Sequence, residues 1–266
     1  MKISVVTPTY QRPGWHELLY GVFDAQEWED KELVVVDDSP EPSPFFTKLR
    51  DARVVYRHAR QRIPIGPKRD LLVRLARGEV IAHFDDDDYY APDYLRWMHA
   101  ELEGHDAVKA GGFYIMSLLH GAFAYWDVVT EAPHHFKMAP SEPLSPIPVK
   151  DYSAEARARF RDNFLYGLGF SFMYPRRTAE RCRFGDKHWG EDHEFLRAVD
   201  ASGMSVRIVH DQAGHLCCLR HGEGSTLFPQ YLLPEFVFAE RFGSPGLRYL
   251  ERVAAMLGKV RMDSHR

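Results

Sequence analysis

Four consecutive aspartates, Asp85-Asp86-Asp87-Asp88, follow the apolar run Val80-Ile81-Ala82-His83-Phe84. At ~4 Å two like charges repel by about 1 kcal/mol in water and about 4 kcal/mol at an effective dielectric of 20, so an enclosed acidic tip needs a cation to offset it. Carboxylates with no cysteine among them suit a hard ion such as Mg²⁺ or Mn²⁺, particularly one shared with phosphate oxygens. A solvated acidic loop is the plainer alternative, but this run ends a buried strand and does not lie in a tail. Asp37-Asp38 repeats the arrangement after Val34-Val35-Val36. A carboxylate there can accept from ribose hydroxyls or a base N–H, or simply cap a turn.

Lys68 and Arg69 sit in the first turn of a helix opened by Gly66-Pro67, where the helix terminus and two cations favour a diphosphate. Asp192, in Trp189-Gly190-Glu191-Asp192-His193-Glu194, begins another helix. It is either a first-turn cap or a general base facing the acidic tip. His215 and His221 follow as metal ligands or as packed imidazoles. Neither GxGxxG nor GxxxxGK[ST] follows any strand, which argues against dinucleotide and P-loop chemistry.

These residues need elements to hold them. Ile3–Val6, Glu32–Val36, Val54–Tyr56 and Val80–Phe84 read as strands, alternating with helices over 15–27, from Gly66 to Gly78, and from Pro92 through Leu95, Met98 and Leu102. That alternation predicts an α/β fold with a mainly parallel central sheet flanked by helices. Ligands in such sheets bind beyond the carboxyl ends of the strands. Thr7-Pro8-Thr9-Tyr10, Asp37-Asp38 and Asp85–Asp88 all fall there. After residue 105 the pattern predicts strands over Ala107–Leu119, Ala122–Val129, Leu168–Tyr174 and Val206–Val209, and a helix over 190–202. Five prolines mark 131–152 as a long loop, a candidate lid. From Leu227 two amphipathic helical stretches are expected, with a frayed end at Arg261–Arg266.

The 266 residues allow one large domain, or one domain with a C-terminal appendage. A net charge of −4 gives no overall basic character that would point to nucleic acid or an anionic membrane. The three cysteines, Cys182, Cys217 and Cys218, form no CxxC pair and read as free thiols of a reducing cytoplasm. No run reaches the ~18 apolar residues of a membrane span, so the expectation is a cytoplasmic protein, soluble or peripheral.

Taken in order, the motifs resemble the family 2 glycosyltransferases of the GT-A fold, which is Rossmann-like. Val5 to Pro13, Val34 to Ser39, Gly66 to Asp70, Asp85–Asp88 with Pro92-Asp93, Gly190-Glu191-Asp192 and Arg220-His221-Gly222 carry the resemblance. It implies a GT-A domain over 1–225, with a nucleotide-binding half at 1–104 and an acceptor half at 105–225, and a helical extension at 226–266. It implies a nucleobase pocket of Thr7, Pro8 and Tyr10 with Asp37 or Asp38 on the base. Arg12, Lys68, Arg69, Asp85 and Asp86 would hold the rest of the donor. Asp87 would bind Mn²⁺ or Mg²⁺ with His221 completing the shell, Asp192 would be the catalytic base, and Trp189 and Glu191 would meet the acceptor. The implied reaction is inverting transfer from a nucleoside-diphosphate sugar, UDP-linked by preference, to a hydroxyl. The acceptor would be a glycan, a lipid-linked sugar, a protein or a modified nucleic-acid base. Asp70 departs from the asparagine more usual there. A nucleotidyltransferase and a non-catalytic nucleotide-sugar-binding module are the competing readings.

Overall fold

In a computed structural model the chain is described over residues 1–128, 165–221 and 232–258, with the backbone alone of 135–138, 145–146 and 226–229. Its N-terminal part alternates β1 (Ile3–Thr9), α1 (His16–Asp24), β2 (Lys31–Asp37), β3 (Val54–His58), α2 (Ile65–Leu75) and β4 (Val80–His83). β1 lies between β2 and β4 and pairs in parallel with both; β3 extends the parallel set beyond β2. Every residue of β2 is buried, as a strand covered on both faces must be. The alternation of its side chains divides the core. Leu33 and Val35 join α1 residues Leu19 and Phe23 on one face, and Val34 and Val36 join Leu72 of α2 on the other.

The chain continues through β5 (Tyr89–Tyr90), α3 (Tyr94–Leu102), β6 (Ala107–Ser117), β7 (Ala122–Asp127), β8 (His135–Met138) and β9 (Ser145–Pro146). There follow β10 (Met173–Pro175), α4 (Arg176–Arg181), α5 (Glu191–Ala201), β11 (Val206–His210), β12 (Leu216–Arg220), β13 (Thr226–Pro229), β14 (Leu232–Leu233) and α6 (Glu235–Met256). The main sheet runs β14-β7-β6-β10-β4-β1-β2-β3, with β11 and β12 both joined to β6. β10 is antiparallel to β4 and β6, and β7 is antiparallel to β6, whereas β11 and β12 are parallel to β6. The expected α/β architecture with a parallel set at its N-terminal side is therefore present, and the antiparallel pairs all involve strands after β4, including β5 with β12.

Local differences from the sequence reading have physical causes. The apolar run 168–174 is not one strand: Leu168 is left-handed (φ 67°), Gly169–Ser171 form a 3₁₀ turn, and only Met173–Pro175 pair. A short apolar run in a core has no period that separates strand from buried turn. Within 131–152, read as a loop, β8 and β9 pair with each other, and β8 pairs with β13 in a second, three-stranded sheet. The rest of that span lies outside the described residues. After Leu227 the chain forms two short strands before any helix, and β14 joins the main sheet. The two helical stretches expected there follow as the two arms of α6, separated at Gly243 (φ 55°, ψ −158°) just before Pro245. Arg261–Arg266 lie outside the described residues. All three cysteines are buried free thiols. Among the described residues no helix is long and apolar enough to cross a membrane.

Candidate active site

The parallel register sets Thr9 of β1 beside Asp37 of β2, and Val6 of β1 beside His83 of β4. The three polar strand ends thus meet on one rim. A cleft of about 320 Å³ opens there, lined by Pro8, Thr9, Tyr10, Arg12, Arg62, Ile63, Ile65, Lys68, Arg69, Asp85, Asp86 and His188. Of the donor residues implied by the resemblance, Pro8, Tyr10, Arg12, Lys68, Arg69, Asp85 and Asp86 line it. Thr7 does not. Its side chain is wholly buried inside β1, and Thr9 occupies the rim instead.

Asp37 and Asp38 stand behind the wall. Asp37 accepts from Ser39 N–H at 2.9 Å and from the Tyr56 hydroxyl at 2.8 Å. Asp38 accepts from Arg62 at 2.7 Å, from Ile63 N–H at 2.7 Å and from the Lys68 ammonium. Lys68 is 3% exposed, and a buried lysine beside a buried carboxylate is stable only as a pair. Burial pulls the Lys68 pKa below the usual lysine value against the pull of Asp38. Arg62 is half exposed and lies 3.5 Å over the Tyr10 ring while holding Asp38. Sequence reasoning missed Arg62, His188 and the apolar lining of Ile63 and Ile65. Only their position beside Gly66 and Trp189 could have hinted at them.

At the acidic tip the four aspartates have four different surroundings. Asp86, 3% exposed, accepts from Thr9 and from Arg12 at 2.8 Å; burial and then the Asp87 charge push it up to about 7. Asp88 is committed to the fold: it accepts from Leu219 N–H at 2.8 Å, and its carbonyl accepts from Tyr249 at 3.1 Å. Burial, reinforced by Asp87 and Asp85, drives its pKa well up. Asp87 is the one whose charged form is favoured by its surroundings. Burial acts against its charge, but the His221 hydrogen bond at 3.0 Å and the Arg12 cation outweigh burial and hold its pKa below the ordinary value. His221 is positioned by Trp15, whose ring centroid lies 4.2 Å away. Burial, reinforced by Asp87 and opposed by Arg69, raises Asp85.

Ligand oxygens of Asp85, Asp87 and Asp88 come within 4.8 Å of one another. An all-oxygen set of this kind, with an imidazole alongside, fits a hard divalent cation. Asp88 gives Oδ1 to Leu219 N–H, which leaves its second oxygen beside those of Asp85 and Asp87. Arg12 supplies the counter-charge on Asp86 and Asp87 in the structure described here.

The helix α5 brings the remaining candidates. Glu191 is its first residue and is buried against Arg69, Nε to Oε1 at 3.0 Å. Asp192 accepts from Gly169 N–H at 2.9 Å and from His193 N–H at 2.7 Å. A Cβ on residue 169 would stand 2.9 Å from the Asp192 Cβ and 3.2 Å from Arg69, so glycine is required for this approach. Gly66 is required for a similar reason: its Cβ would lie 2.1 Å from the Gly185 carbonyl, where α2 meets the segment before α5. Trp189, with 87% of its surface exposed, projects beside His188 at the mouth. His215 is not at the tip; it stacks on Trp97 at 4.5 Å and pairs with Asp211 at 2.9 Å. Asp70 accepts from Phe184 N–H at 3.3 Å and serves packing.

Comparison with known proteins adds an independent line. The chain is 24% identical over 227 residues to WcaA of Escherichia coli (strain K12), whose name assigns it to glycosyl transfer in colanic acid biosynthesis; the match covers 83% of this chain and 74% of WcaA. It is 31% identical over 211 residues to the succinoglycan biosynthesis protein ExoO of Rhizobium meliloti (strain 1021), covering 76% of this chain and only 56% of ExoO. The fold matches that of S. aureus TarS residues 1–349 with a TM-score of 0.56 at 19% identity, over 82% of this chain and 60% of that one. TarS 1–349 has also been solved with UDP-GlcNAc; that structure has a TM-score of 0.56 at 16% identity over 97% of this chain and 72% of that one. The model of "Glycosyl transferase family 2" matches residues 4–143, more than half of the chain and the whole stretch that builds the rim. On that match, joined to the shared GT-A fold, the chain belongs to glycosyl transferase family 2.

Proposed function

We propose that the chain is an inverting glycosyltransferase that moves a sugar from a nucleoside diphosphate, UDP by preference, to an acceptor hydroxyl. The observation that carries this reading is the bridge made by Arg69. One buried guanidinium holds Glu191, next to Asp192 on α5, and faces Asp85 of the acidic tip at 3.9 Å. Two elements far apart in sequence are thereby held over one cleft, with carboxylates on both sides of the space a donor would fill.

In this reading Tyr10, Pro8 and Arg62 receive the base, and Lys68, Arg69 and Arg12 face the diphosphate. Asp38 reaches the base only when Arg62 yields its place, because its other partners are buried. Asp85 and Asp87, with His221, would hold Mn²⁺ or Mg²⁺, which when bound offsets the charge growing on the departing diphosphate. Asp192 takes the proton of the acceptor hydroxyl while that oxygen attacks the anomeric carbon from the face opposite the leaving group. Inversion follows. Trp189 offers an exposed ring for a sugar face, which supports a glycan as acceptor, while Glu191 is buried on Arg69 and acts through it. The buried free thiols fit a cytoplasmic site of action.

The reading is tested by offering UDP-, GDP- and TDP-sugars with Mn²⁺ or Mg²⁺ and following nucleoside diphosphate release together with thermal shift. Asp192→Asn is expected to lose ~10²–10⁴-fold in turnover while still binding donor. Near-full turnover in that variant would remove the base assignment. Release of pyrophosphate in place of the diphosphate would sink the reading as a whole.

A further inference from the structure

His83, the last residue of β4, has no role in the mechanism above, yet it is fully buried between the two halves of the site. Its Nδ1 lies 2.8 Å from Arg69 Nη1, and its Nε2 lies 2.7 Å from the Tyr174 hydroxyl. Arginine has only donors, so Nδ1 must present its lone pair and the ring proton must sit on Nε2, donated to Tyr174.

Arg69 itself is 5% exposed. Burial works against its charge, but Asp85, Glu191 and Asp192 outweigh that and raise its pKa. Its fork is thus fixed at three points: Glu191 on Nε, His83 on Nη1 and Asp85 facing Nη2. Glu191 and Asp85 are themselves parts of the site and are pulled by whatever binds there. His83 is different, being held by β4, by Tyr174 and by a ring of Phe172, Phe184 and Tyr174. An imidazole in this place sets the plane of the guanidinium independently of ligands, as an outer partner orients a ligating group.

We propose that His83 is a positioning residue for transfer: by accepting from Arg69 it fixes the guanidinium that holds the N-terminus of α5, and with it Asp192, over the acidic tip. This rests on the glycosyltransferase reading for its consequence in turnover, though not for its structural content.

Three variants separate the two ring nitrogens. In His83→Asn the amide oxygen falls where Nδ1 was and keeps the acceptor for Arg69. In His83→Gln the amide reaches the place of Nε2 and keeps only Tyr174. His83→Phe fills the aromatic pocket and keeps neither. Sugar transfer and amide hydrogen exchange at residues 193–195, the first amides of α5 that are hydrogen-bonded, are measured on the full chain for each. His83→Gln and His83→Phe are expected to lose ~10–100-fold in kcat, the scale of a small misplacement of a reacting group, and to exchange faster at those amides. His83→Asn is expected to restore both towards the wild type. The inference fails if His83→Asn behaves like His83→Phe, if exchange in His83→Phe matches the wild type, or if exchange quickens while kcat is unchanged. A wild-type chain that transfers no sugar from any donor would remove the proposed function instead. Exchange in the three variants would still decide whether His83 holds α5.

Discussion

Among the four aspartates, Asp87 is distinguished by its neighbours alone. Asp86 and Asp88 are buried, the first on Thr9 and Arg12 and the second on Leu219 and the Tyr249 contact, whereas Asp87 is only partly buried, shares Arg12 with Asp86 and adds His221. Asp87→Asn should therefore weaken Mn²⁺-dependent UDP binding by about tenfold or more, or about 1.4 kcal/mol, with little loss of fold stability. Asp88→Asn should do the reverse. Calorimetric titration with UDP, with and without Mn²⁺, reads the first effect, and urea unfolding the second; equal effects of both variants on binding would contradict the division. The sequence shows an acidic tip ending a strand and the need for a cation there. It cannot rank four identical side chains, because the ranking comes from donors supplied by β12, by α6 and by the loop after β1. Arg62 escaped notice for the same reason: its contacts with Tyr10 and Asp38 exist only once β1, β2 and β3 are side by side.

At the scale of elements, the parallel strands β1, β2 and β4 were legible because both faces of each are covered, which leaves unbroken apolar runs such as Leu33–Val36. The run at 168–174 was not, since its turn is imposed by the need to bring Gly169 N–H to Asp192. The central strand β6 carries another feature that periodicity hides. Lys109 is 0% exposed, and its ammonium donates to the Gly167 carbonyl at 2.8 Å, in the segment that precedes that turn. Burial, only partly opposed by Asp192, brings its pKa down to about 7 from the model-compound value of 10.5. Between those two values the unfolded chain holds a proton that the folded chain has released, so stability rises with pH across the window. Lys109→Met should flatten that rise. Urea midpoints of both proteins at the two ends of the window test it, and an unchanged slope in the variant would mean that Lys109 does not titrate there.

Across the whole molecule, the acidic tip is the point where both halves of the chain close on each other. β4 leads into it from the N-terminal half, β12 donates Leu219 N–H to Asp88, and Tyr249 of α6 donates to the Asp88 carbonyl at 3.1 Å. Tyr249 is buried against Tyr89, ring centroids 5.1 Å apart, so its hydroxyl is held away from water. Without that hydroxyl the Asp88 carbonyl loses a buried donor, a change worth about 1–3 kcal/mol. If α6 is an integral buttress of the site, Tyr249→Phe should lower the unfolding free energy measured in urea by that amount in a single transition, and Mn²⁺-dependent UDP binding should weaken with it. A first, separate transition confined to α6, with binding at the tip intact, would show instead that the last helix is an attachment to a site the rest of the chain builds alone.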